Sequence, residues 1–183
     1  MNRRTQMEPP GARPSIERPR AHLLEAVLAF VLNAKKVSGV LRIAMIGSLA
    51  TSKPVPKDAD VLVTIDANMD LAPLAQLGRR LKGRAQNINL GADIFLANAS
   101  NQYLGRICHY RECHPRMACR ALHCGAREHL NDDLQVVTLS ETLIGAPTIE
   151  LWPQVSARGA VPADTEALLL SRLREREVAE WIR

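Results

Sequence analysis

Aromatic side chains are scarce: two Trp, two Tyr and two Phe amount to 3% of 183 residues. A base-stacking platform of interleaved aromatics is therefore not expected, and a core must rest on Leu, Val, Ile and Ala. No run approaches the ~18 apolar residues of a membrane-spanning helix, so no membrane partner is expected. The basic N-terminus is not followed directly by an apolar stretch with a cleavage site, which argues against a secretory signal. No internal repeat is visible. Cysteine is sparse as well, but all four crowd into residues 108–124 with histidines between them. Such crowding fits reduced thiols at a metal better than a disulfide framework, and the expected location is the cytoplasm.

What is present suits one domain, with 46% hydrophobic and 23% charged residues. The net charge of +5 mildly favours an anionic partner. Residues 1–19 hold Pro9, Pro10, Pro14 and Pro19 among Arg and Glu. They read as a disordered basic tail, either merely solvated or touching nucleic acid. Residues 20–183 read as the folded domain, including a Cys/His-rich insertion at 98–130 and a C-terminal helix at 164–183.

Periodicity places a helix over residues 20–37, where Leu23, Leu24, Val27, Leu28, Val31 and Leu32 recur at helical spacing. Gly39 is the expected stop. Apolar runs predict strands at 41–46, 61–65 and 88–96. A second helix over 70–83 carries Leu71, Leu74, Leu77 and Leu81 on one face. Arg79, Arg80, Lys82 and Arg84 near its end suit the helix dipole. Residues 134–139 read as a fourth strand and 149–152 as a short one. His129 and the pair Asp132-Asp133 read as turn residues. In the last helix Asp164 or Thr165 is the expected cap, and Leu168, Leu169, Leu173, Val178 and Trp181 are expected to pack.

The chemistry concentrates at residues 43–65. A strand ends at Gly47-Ser48, nine residues intervene, and Asp58-Ala59-Asp60 leads into the next strand. Alternation along a strand points Asp58 and Asp60 the same way. Two such carboxylates repel unless a cation neutralises them, and Mg²⁺ takes hard oxygen ligands of this kind. Gly47 allows close approach of backbone to a phosphate, and Ser48 offers a hydroxyl and an N–H. Asp93, among Ile94, Phe95 and Leu96, needs a partner or a cation. Lys53 and Lys57, in the intervening loop, either touch phosphates or are simply solvated.

On Gly47, Ser48, Asp58, Asp60 and Asp93 the sequence resembles the nucleotidyltransferase superfamily with the polymerase-beta-like fold, in its minimal bacterial and archaeal type. The resemblance covers roughly residues 40–97. It implies an α+β fold with a mixed sheet flanked by helices. It also implies Mg²⁺-dependent transfer of a nucleoside monophosphate from a nucleoside triphosphate, ATP foremost, with release of pyrophosphate. Asp58, Asp60 and Asp93 would hold the metal, and Gly47 and Ser48 the triphosphate. Pro54 and Pro56 argue against the long helix that usually follows Gly-Ser in that family. The acceptor would be a protein, an RNA end or a small molecule. The competing expectation is an idle module of the same fold that binds nucleic acid or protein through its basic Cys-rich segment. A metal-dependent phosphohydrolase is a third.

Cys108, Cys113, Cys119 and Cys124 are separated by four, five and four residues. Four thiolates can close a tetrahedral Zn²⁺ site, with His114 and His123 as the best substitutes for one of them. Disulfides and unligated thiols remain alternatives. Arg106, Arg111, Arg116, Arg120 and Arg127 interleave with the cluster, either to bind a phosphate backbone or to offset thiolate charge.

Overall fold

The computed structural model describes residues 17–181, with the exception of Ala118. The expected tail lies outside the described residues over 1–16. Residues 17–19 already belong to helix α1 (Glu17–Ala34), because a proline in the first turn removes no helical hydrogen bond. The strands are β1 (Val40–Ile46), β2 (Asp58–Ile65), β3 (Gly91–Asn98), β4 (Tyr103–Ile107), β5 (Leu130–Asn131), β6 (Ile149–Trp152) and β7 (Ser156–Ala157). They form one sheet in the order β5-β4-β3-β2-β1-β6-β7. Only β2 and β3 pair in parallel, joined by helix α2 (Ala72–Gln86), so the sheet is mixed and the class is α+β.

Alternation along β2 and β3 sorts the two faces. Ala59, Val61, Val63 and Ile65, with Ala92, Ile94 and Leu96, join the main core under α1 and α2. The stripe read from the sequence supplies α1's share, with Leu23, Leu24, Val27, Leu28 and Val31 all buried. The chain ends in a helical stretch, α4 (Ala163–Thr165), a π-helical turn (Glu166–Leu170) and α5 (Ser171–Trp181), which adds Leu169, Leu170 and Leu173 to the same core. The opposite face is thinly covered. A smaller cluster of Ala44, Ile46, Leu62, Phe95, Ala97 and Ile144 is backed by helix α3 (Glu141–Gly145) and by Val137 and Leu139.

Several expectations need correction. Residues 134–139 are not a strand: Leu134 and Val136 are exposed, and Asp133 turns the chain by accepting the N–H groups of Val136 and Val137. The sheet gains β4 and β5 instead. Gly39 does not end α1, which stops at Ala34; at φ 89° it makes the last turn before β1. Neither Asp164 nor Thr165 is the cap: α4 begins at Ala163 behind Pro162, which has no side-chain acceptor, and Asp164, within the first turn, accepts from Arg20 and from the Thr165 N–H. Val178 is exposed, since it lies beyond the last turn that meets the core. The Trp181 side chain and residues 182–183 lie outside what is described. Among the described residues no helix is long and apolar enough to cross a membrane.

Candidate functional site

Asp58, Asp60 and Asp93 all emerge on the thinly covered face of the sheet. Asp58 and Asp60 share it by alternation along β2. Asp93 joins them because the parallel register sets Asp60 directly beside it. The sequence-predicted carboxylates are thus brought together by one strand pairing.

Glycine makes room for two of them. A Cβ on Gly47 would overlap Asp60 Oδ2, and a Cβ on Gly91 would overlap Asp58 Oδ1. Gly47 also sits at φ 69°, ψ −160°, a conformation other residues rarely adopt. The chain can leave β1 beside the Asp60 carboxylate only because no side chain stands there. Ser48 follows, half-buried, at the start of one 3₁₀ turn (Ser48–Ala50). No longer helix follows Ser48, in agreement with the two prolines. Lys53 and Lys57 are exposed in the loop.

The loop has an anchor that the sequence did not reveal. Arg20, on α1, is buried, and its guanidinium donates to the carbonyls of Leu49, Thr51 and Lys53 at 2.9–3.3 Å. It also donates to Asp164 Oδ2 at 2.6 Å. A basic residue near the chain start reads as a solvated tail charge; only the tertiary fold shows it closing the Gly-Ser loop onto two helices.

Electrostatics distinguish the carboxylates. Burial, with the charges of Asp58 and Asp93, pushes Asp60 up to about 6, and Arg106 only partly offsets this. Burial also pushes Asp93 upward. There the His109 hydrogen bond and the charges of Arg106 and Lys82 win, and the group lies below its ordinary value. Arg106 lies 3.5 Å from Asp93 and also pairs with the buried Asp133. His109 Nε2 is 3.4 Å from Asp93 Oδ1. Arg106 reaches Asp93 because β4 runs antiparallel to β3 and sets it opposite Phe95, two residues along the same face. Neither partner was foreseen. A single Gly105 in a short, weakly apolar stretch hid β4, although an Arg-Ile-Cys-His run soon after a strand was the available hint.

A cleft of about 330 Å³ opens beside Asp93, lined by Lys82, Arg106, His109 and His123 among others. Cys108, Cys119 and Cys124 contribute to its wall. All four cysteines are unbridged. Among the interleaved arginines, Arg106 and Arg127 are engaged, the latter with the Met69 carbonyl. Arg111, Arg116 and Arg120 are exposed. His129 and Asp133 are buried, and Asp133 serves both the expected turn and the unexpected pair with Arg106.

The donor chemistry fits a hard divalent cation: three carboxylates on one face, one of them protonated more readily than usual because burial and its two carboxylate neighbours oppose its charge. As they stand, no three His, Cys, Asp or Glu side chains among the described residues are arranged to hold a metal ion. Compared with known protein families, curated proteins and solved structures, the chain matches none.

Proposed function

We propose that the protein is a nucleotidyltransferase: it passes a nucleoside monophosphate from a nucleoside triphosphate, ATP foremost, to an acceptor hydroxyl. The observation that carries this reading is the lateral pairing of Asp60 with Asp93, with Asp58 on the same face and Gly47-Ser48 at the adjoining strand end. Asp58 and Asp60 would hold Mg²⁺, with Asp93 completing the set. Bound there, the cation would neutralise triphosphate oxygens and clamp an in-line displacement. Ser48 would donate to the triphosphate, with Gly47 keeping the approach open and Lys53 and Lys57 adding positive charge from the loop. The acceptor oxygen forms a bond to the α-phosphorus, the α–β bridging bond breaks, and pyrophosphate leaves. Asp93, kept below its ordinary value by the His109 hydrogen bond and the charges of Arg106 and Lys82, would accept the hydroxyl proton.

One observation favours a second reading. Arg106 already pairs with Asp93, and His109 Nε2 lies 3.4 Å from it, so this carboxylate is engaged without a cation, as in an idle module that binds nucleic acid or protein. Calorimetry with Mg²⁺ and each nucleoside triphosphate, followed by transfer of an α-labelled phosphate, separates the two. The transferase reading requires binding, pyrophosphate release, and loss of both in the Asp58→Asn, Asp60→Asn double variant. It fails if no triphosphate binds or if the double variant behaves as the parent does. Release of orthophosphate instead of pyrophosphate would assign a phosphohydrolase.

A further inference from the structure

The Asp93 cleft and the proposed triphosphate site are separate spaces. Among the described residues, Gly47, Ser48, Asp58 and Asp60 do not line the cleft, and only Asp93 belongs to both. At about 330 Å³ the cleft lies at the small end of ligand clefts, so it suits one nucleotide-sized group and not a protein surface. Asp93 is the single carboxylate in its wall. Arg106 is held by Asp93 and Asp133. Lys82 and His123, by contrast, make no hydrogen bond or ion pair among the described residues. Arg106 Nε, His109 Nδ1 and Asn131 Oδ1 are buried without a partner, so the fold alone does not complete the hydrogen bonding of this wall. Uncommitted cations of this kind suit an anionic group.

A second hollow, of about 360 Å³, adjoins the first. The two share Tyr110 and Cys119, and the second adds Glu112, His114 and Arg120. Tyr110, 56% exposed, stands between them. Its backbone is fixed from α2, where Arg79 donates to the Tyr110 carbonyl at 3.0 Å. The core makes no use of this ring, whose face is open to a flat partner. Single-stranded nucleic acid is held by such a combination: cations along the backbone and an aromatic ring against a base. Hollows of this size take unpaired nucleotides and no duplex. One ring is not a platform of interleaved aromatics, but it is enough for one base.

We propose that the two hollows hold the free end of a single-stranded nucleic acid. The terminal nucleotide occupies the Asp93 cleft, the next occupies the Arg120 hollow, and a base lies against Tyr110. This binding requires neither metal nor triphosphate. That the terminal hydroxyl then meets Asp93 as the acceptor rests on the transferase reading above.

The test is fluorescence anisotropy of 5′-labelled single-stranded RNA and DNA of one sequence, with the full chain and without Mg²⁺ or nucleotide. At least one strand should bind, and more tightly than its duplex. Tighter binding of RNA assigns an RNA end, and tighter binding of DNA a DNA end. Tyr110→Ala should weaken binding about five-fold or more, whereas Tyr110→Phe, which keeps the ring, should bind as the parent does. Replacing Lys82 and Arg120 by Ala should flatten the salt slope by about 0.7 for each phosphate contact removed. A photoreactive thiouridine at the 3′ terminus should crosslink to a residue of the Asp93 cleft. An unchanged thermal midpoint shows that each variant is folded. Absence of binding by either strand, duplex bound as tightly, parent-like affinity in Tyr110→Ala, or a terminal crosslink elsewhere overturns the site. Nucleotide calorimetry on the same preparation keeps the two claims apart. Triphosphate binding without oligonucleotide binding overturns this site alone, and the reverse overturns the transferase reading alone.

Discussion

Asp60 concentrates the tension of the candidate site in one side chain. Its folded value, about 6, exceeds the ordinary 3.8 because burial and two carboxylates oppose its charge. Between those values the folded chain keeps a proton that the unfolded chain has released. Stability without a divalent cation should therefore fall as pH rises from 3.8 to about 6, and stay lower above. Asp60→Asn should reverse the penalty at neutral pH, stabilising the cation-free chain by about 1 kcal/mol after allowance for solvent screening. The same change should abolish Mg²⁺-nucleotide binding, and binding by the parent should strengthen as pH rises through about 6. Denaturation across pH, paired with calorimetry, reads both; a variant that loses stability would refute the repulsion argument. Gly47→Ala should act oppositely on the fold. Its φ of 69° and the Asp60 oxygen in the way predict a loss of about 1–3 kcal/mol together with weakened nucleotide binding. Gly83→Ala is the control: it is helical with open space around it, and should gain up to about 1 kcal/mol.

Between elements, Arg20 does what no backbone pairing does: it joins α1, the loop after Ser48 and the C-terminal helical stretch. Arg20→Ala strands three carbonyls and the Asp164 carboxylate. It should cost about 3 kcal/mol in urea denaturation, and Lys should rescue little because it lacks the planar fork. Asp164, held below the usual carboxylate range first by its Arg20 bond, adds stability that is lost as pH falls through its lowered value. This joint was illegible in the sequence because its members are 144 positions apart. The three central strands were legible, since Ile43, Val61 and Ile94 sit in runs buried on both faces. The carboxylates were legible for a related reason: alternation puts Asp58 and Asp60 on one face whatever their neighbours do. Register is a tertiary property, so Asp93 could be matched to them only by resemblance. Residues 134–139 misled because Leu134 and Val136 suit a strand, while the backbone bonds to Asp133 bend the chain away.

Across the molecule, the net charge of +5 resolves into unequal parts. Arg20, Arg106 and Arg127 are consumed inside the fold, whereas Arg111, Arg116 and Arg120 are exposed on one Cys-rich segment and Lys53 and Lys57 on the loop after Ser48. The exposed set is open to phosphates, and under the proposed transferase reading the acceptor's identity turns on whether it meets them. Contacts to single-stranded RNA release counterions, so affinity should fall with salt by a log–log slope of about −0.7 per contacted phosphate. Replacing Arg111, Arg116 and Arg120 together by Ala should flatten that slope by about 2 for an RNA acceptor. Fold stability should move by less than about 0.5 kcal/mol, as for ordinary surface sites, and Mg²⁺-nucleotide binding should persist because the carboxylates are untouched. Filter binding over a salt series, run beside nucleotide calorimetry on the same preparation, gives both readings. An unchanged slope would remove nucleic acid from this segment and direct the search for an acceptor to protein hydroxyls. A flattened slope with no nucleotide binding in either chain would instead favour the idle module, in which the basic segment acts and the carboxylates do not.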